Sequence, residues 1–178
     1  ALAYDENENM VYVSSKNLSR ITKINKSTDD IIWQIGRRWL GDANIIRPDN
    51  EADRFYGQHG LQLLGKDHMV ILDNGIFSGT SRAMELKVVE TSGSYNLEIV
   101  WSYALPNELY GVISGNVQKL SNDNYLITTI GSSDGAHSLE VTSSYETVWD
   151  CKYNIGTPQG SIYRAMRINS LYEFNVNN

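Results

Sequence analysis

The chain has 178 residues, 41% of them hydrophobic and 10% aromatic, and 15 Lys and Arg stand against 21 Asp and Glu for a formal net charge of −6. That is material for about one packed domain, and it excludes a disordered chain, a binder of nucleic-acid backbone, which needs a basic cluster, and a helix of roughly 18 apolar residues that could span a membrane. Cys151 is the single cysteine, so there is no internal disulfide framework and no cysteine-built metal site.

In chain order, MVYVSS (10–15), SRITKINK from Ser19 and DIIWQIG around Trp33 alternate apolar and polar residues and close on Ser, Asn or Gly. That is the pattern of short strands ended by turns. GLQLLGKDH (60–68), HMVILDNG (68–75), SRAMELKVV from Ser81 and LEIVWSYA around Trp101 repeat it with an extra strand in front. GNVQKLSNDN (115–124), NYLITTIG (124–131), HSLEVTSS from His137 and ETVWDCKY around Trp149 repeat it again. Corresponding positions recur roughly every 56 to 58 residues, from Val11 to Met69 and on to Tyr125. No window carries a helical apolar stripe.

Four short antiparallel strands per unit, with a tryptophan near the end of the last, predict an all-β protein made of β-propeller blades. One such sheet cannot bury both faces alone, so each must stack on its neighbours. The expected units are 1–38, 57–105 and 112–153, with a further unit starting in 161–178 and an irregular insertion over 39–56. The first unit is expected to lack most of its opening strand. This makes about three and a half blades, so a closed ring needs further blades from flanking sequence or another subunit. A β-sandwich is the alternative.

Loops at one mouth of a propeller channel usually carry function. His59 ends the insertion and opens a candidate inner strand, Asn74 lies in a DNG turn, Arg82 opens a strand, and His137 follows the glycine-rich GSSDG. Each also has a purely structural reading: a loop histidine on a backbone carbonyl, a tight turn, an ion pair. His68 is expected to be solvent-exposed in a hairpin turn. In YRAMR (163–167), an arginine facing the channel suits an oxyanion, because a guanidinium binds it bidentately. No phosphate loop, nucleophile elbow or calcium loop occurs, and no cofactor or metal is expected.

Taken in order, IIWQIG, FYGQHG, ILDNG, SRAMEL, VW and YRAMR resemble the bacterial arylsulfotransferase family, with Leu72 where its DNG element has Phe. The resemblance covers most of the chain. It implies a six-bladed propeller, export to the periplasm or secretion, and transfer of a sulfuryl group from an aryl sulfate to a phenol through a histidine. It further implies that His59, in the QH motif, contacts the sulfate. His137 is the remaining candidate for the transferring histidine and Arg82 for a catalytic arginine. Gln58, Asn74 and Arg164 are candidate substrate contacts. An H-x-N-S element that precedes the first of these strands in the family does not occur in this chain. The competing reading is a non-catalytic propeller that serves as a binding or scaffold module.

Overall fold

The computed structural model describes residues 1–40, 42, 44–131, 135–155 and 162–168. Half of these are in strands, and they contain no α-helix, hence none long and apolar enough to cross a membrane. Three sheets follow one another along the chain. The first holds β1 (Leu2–Asp5), β2 (Met10–Ser15), β3 (Arg20–Asn25) and β4 (Ile31–Gly36), antiparallel in sequence order. The second holds β6 (His59–Gly65), β7 (His68–Asp73), β8 (Arg82–Thr91) and β9 (Ser94–Ala104). The third holds β10 (Asn116–Lys119), β11 (Tyr125–Thr129), β12 (His137–Val141) and β13 (Thr147–Lys152).

Three expectations are corrected. The first unit does have its opening strand: β1 pairs with β2 from Leu2↔Val13 to Asp5↔Met10 and is as long as β10. Its register was hidden because LAYD carries a polar end and no turn marks its start. The insertion is not wholly irregular either, since β5 (Ile45–Ile46) pairs in parallel with Gln34 and Ile35 of β4. His68 is a strand residue, half-buried, with Nε2 2.7 Å from Glu85 Oε1. Of the expected further unit, Ser161 and residues 169–178 lie outside the described residues.

The middle sheet explains the packing. β7 is apolar on both faces, and its pleat sends alternate side chains to two different cores. Met69 and Ile71 join Tyr12, Ile21, Trp33 and Ile35 of the first sheet. Val70 and Leu72 join Val117, Tyr125, Ile127 and Leu139 of the third. Polar anchors fix each seam. At the first, Asp67 Oδ1 accepts from Lys23 Nζ (2.7 Å), Trp33 Nε1 (3.0 Å) and Tyr12 OH (3.1 Å). At the second, Trp101 stacks on Tyr125 at 3.7 Å, and the Tyr125 hydroxyl donates to Glu85 at 2.6 Å. The repeated tryptophans thus meet different partners, and Trp149 is 42% exposed on the outer side of the third sheet.

The opening strands lie next to one another, β1 beside β6 and β6 beside β10. Gln62 of β6 accepts from the Lys119 backbone N–H of β10 at 3.0 Å. Gln118, at the same register position of β10, clasps the Arg167 backbone at 2.7 and 3.0 Å. Lys119 and Arg167 each pair with an acid on the third strand of the preceding sheet, Glu85 at 3.4 Å and Glu140 respectively. Residues 163–167 therefore lie along β10 as β10 lies along β6.

Candidate functional site

His59 stands where the repeat is broken. It pairs with Leu72 while Gln62 pairs with Val70, three steps on β6 against two on β7. A bulge of this kind re-aims a side chain. Gly60 takes it up with φ +64°, and a Cβ there would lie 2.6 Å from Asn116 Cα, so the position requires glycine. The corresponding stretch of β10, from Asn116↔Thr128 to Gln118↔Leu126, pairs without a shift.

The bulge points the imidazole at Asn74. His59 Nδ1 lies 2.7 Å from Asn74 Oδ1 and 3.1 Å from Gly57 O. Asn74 is fully buried, and its Nδ2 donates to Gly111 O (2.6 Å) and Ser114 O (3.0 Å), which turns its oxygen toward the ring. Both neighbours of Nδ1 are acceptors, so the neutral imidazole carries its proton on Nδ1 and its lone pair on Nε2. The Ser114 N–H faces Nε2 at 3.4 Å, too long to occupy it strongly. Ser81, also buried, holds Asn74 and Gly111 together: its Oγ is 3.2 Å from the carbonyl oxygens of both and accepts from Gly111 N at 2.9 Å.

Arg82 acts one residue behind. It makes four hydrogen bonds: Nε and Nη2 to Asp73 Oδ2 (3.1 and 2.7 Å), Nη2 to Arg54 O (2.6 Å) and Nη1 to Ala52 O. Asp73 Oδ1 accepts from Tyr56 N (2.8 Å) and Gly75 N (2.9 Å), so the pair fixes both the approach to His59 and the turn holding Asn74. Burial pushes the Asp73 carboxyl up from its usual range, against the pull of Tyr56 N–H and Arg82.

The other predicted residues have different partners. Gln58 is 1% exposed and faces the first sheet, its Nε2 3.1 Å from both Ser14 Oγ and Arg20 O. His137 opens β12 between Thr129 and Lys152, with Nδ1 2.8 Å from Asp150 Oδ1. By register that is the slot filled by Arg20 (between Ser15 and Gly36) and Arg82 (between Asp73 and Ala104). Arg20 and Arg82 are also ion-paired there, to Asp42 and Asp73. Arg164 is exposed and lines a groove along the inner strands with Ala3, Gly60, Leu61 and Asn116.

Of the residues the sequence singled out, the structure brings His59 and Asn74 together, with Arg82 linked to them through Asp73. Sequence reasoning missed Gly111 and Ser114, which act through backbone groups, and Ser81, whose hydroxyl bonds only backbone atoms of Asn74 and Gly111. Among the described residues, no three His, Cys, Asp or Glu side chains gather as a metal site would need. A family model described as Arylsulfotransferase (ASST) matches residues 1–164. No curated protein matches the chain.

Proposed function

The chain belongs to the arylsulfotransferase family, and from that membership we propose that it transfers a sulfuryl group from an aryl sulfate to a phenol, with His59 Nε2 as the atom that carries it. The observation behind this is the fixed tautomer: Nδ1–H is held by Asn74 and Gly57, and a lone pair remains on Nε2. In the first half-reaction Nε2 attacks sulfur, the N–S bond forms, and the S–O(aryl) bond breaks with its electron pair leaving on the phenolate. The imidazole becomes cationic, and the Nδ1–H bond to Asn74 strengthens as it does. In the second, an acceptor phenolate attacks sulfur, the N–S bond breaks, and the lone pair returns to Nε2.

Asn74 is a positioning residue in this scheme, and Arg82 positions in turn through Asp73. We assign the transfer to His59 over His137, because His137, facing Asp150, occupies the regular register slot that Arg20 and Arg82 fill in the first two sheets. Arg164 is the candidate oxyanion contact, since it lines the groove that includes Gly60. Gln58 supports the site by fastening β6 to the first sheet. The adjacency of β1, β6 and β10, with 163–167 next in line, favours three consecutive blades and the start of a fourth within a larger propeller. Family membership favours an exported protein.

The test is turnover. With p-nitrophenyl sulfate as donor and phenol as acceptor, release of nitrophenol should require His59 and yield phenyl sulfate. A chain that binds both and transfers nothing supports the non-catalytic module instead.

A further inference from the structure

The insertion and the DNG loop also build a cleft of about 460 Å³, within the usual size of a small-molecule site. Its walls are Arg37, Arg47, Tyr56, Phe77, Ser78 and Glu51. Phe77 is 62% exposed, a large apolar ring left in solvent beside Tyr56, which it meets edge-on at 5.1 Å. The Arg37 guanidinium lies over two rings, 4.1 Å from the centroid of Trp39 and 4.8 Å from that of Phe77. Stacking on its face orients a guanidinium while leaving its in-plane N–H donors open, the geometry that grips an oxyanion.

The charge pattern agrees. Glu51, the one carboxylate on the wall, is ion-paired with Arg54, whose remaining donors go to Pro48 O and Asp49 O. Arg37 and Arg47 make no ion pair with a described acid, so the cleft is cationic on a chain of net charge −6. None of its six lining residues hydrogen-bonds His59 or Asn74.

We infer that this cleft is a binding site for aromatic oxyanions, in which the Phe77 and Tyr56 rings take the ligand's ring and Arg37 and Arg47 take its sulfate, phosphate or carboxylate. The inference is independent of sulfuryl transfer at His59, because it requires only binding.

Calorimetric titration of the full chain carrying His59→Ala prevents turnover and removes the other site. The ligands are p-nitrophenyl sulfate, p-nitrophenyl phosphate and 4-nitrobenzoate, with phenol and inorganic sulfate supplying ring and anion separately. The aromatic oxyanions should bind, and phenol and sulfate should each bind at least about tenfold more weakly. The ranking among the three names the preferred anion. R37A/R47A should weaken aromatic-oxyanion binding by at least about tenfold, and Phe77→Ala by a smaller factor. Arg37→Lys, which keeps the charge but loses the flat stacked fork, should also weaken it and guards against a folding artefact in the double variant. Binding that is absent in H59A, unchanged in R37A/R47A, or equal for inorganic sulfate and the aryl sulfate overturns the inference.

Discussion

His59 and His137 are both held through Nδ1, yet their settings differ. His137 sits in regular pairing, between Thr129 and Lys152, against a carboxylate. It substitutes for the arginines that occupy the same slot in the first and second sheets. His59 sits on a bulge that the third sheet lacks, against a neutral amide oxygen. In a repeat protein, positions that follow the repeat are explained by packing, whereas a departure needs its own reason. Asp150 is half exposed, whereas the Asn74 amide is fully buried and held by its own bonds to Gly111 and Ser114, so the oxygen facing His59 is fixed in place.

The contrast can be broken by substitution. Replacing His59 with Ala should abolish aryl-sulfate-dependent transfer, a loss on the order of 10⁴-fold or more in turnover, while His137→Ala should leave it within about tenfold. Comparable losses in both would erase the distinction. A second variant sharpens it: Asn74→Asp gives His59 the kind of partner that His137 has. A carboxylate beside Nδ1 raises the imidazole pKa, so Nε2 stays protonated to higher pH and the acidic limb of the rate profile should move upward. An unmoved limb would mean that Asn74 does not face the reacting ring.

Two smaller effects follow from backbone and surface. Gly60→Ala places a Cβ at φ +64° and 2.6 Å from Asn116 Cα, and should cost about 2–3 kcal/mol in chemical denaturation. Loss of transfer should accompany it, since the bulge aims His59. Asp150→Asn removes the carboxylate from His137. Because Asp150 is half-exposed (51%), stability should change by less than about 1 kcal/mol. A larger change would show that the Asp150 contact does more for His137 than an ordinary hydrogen bond to a half-exposed partner.

Much of the fold was legible because alternation and turn chemistry are local. MVYVSS, HMVILD and NYLITT announce their strands, and the tryptophans keep phase. β1 was not, because its four residues depend on pairing with β2 for their identity. Nor was β5, two isoleucines whose strand character comes from a parallel edge on β4. In the site, His59 and Asn74 were legible as residue types placed near turns. Their contact was not, since the extra residue at Gly60 shifts register without altering the apolar pattern. Ser81 and Ser114 had no signal, because one bridges backbone groups of Asn74 and Gly111 and the other offers only its backbone N–H and carbonyl. His68 was misplaced for the same physical reason: its partner, Glu85, is brought to it by cross-strand pairing, in Val70↔Glu85, two residues along β7 and on the same face.

The most direct measurement is the site of covalent label. After brief exposure of the intact chain to an aryl sulfate without acceptor, followed by quenching at alkaline pH to protect the N–S bond, peptide mass spectrometry should find one added sulfuryl group on the peptide carrying His59. Fragmentation should place it on that side chain, and added phenol should remove it. A label on His137, or a chain that releases phenol catalytically with no label on His59, contradicts the assignment.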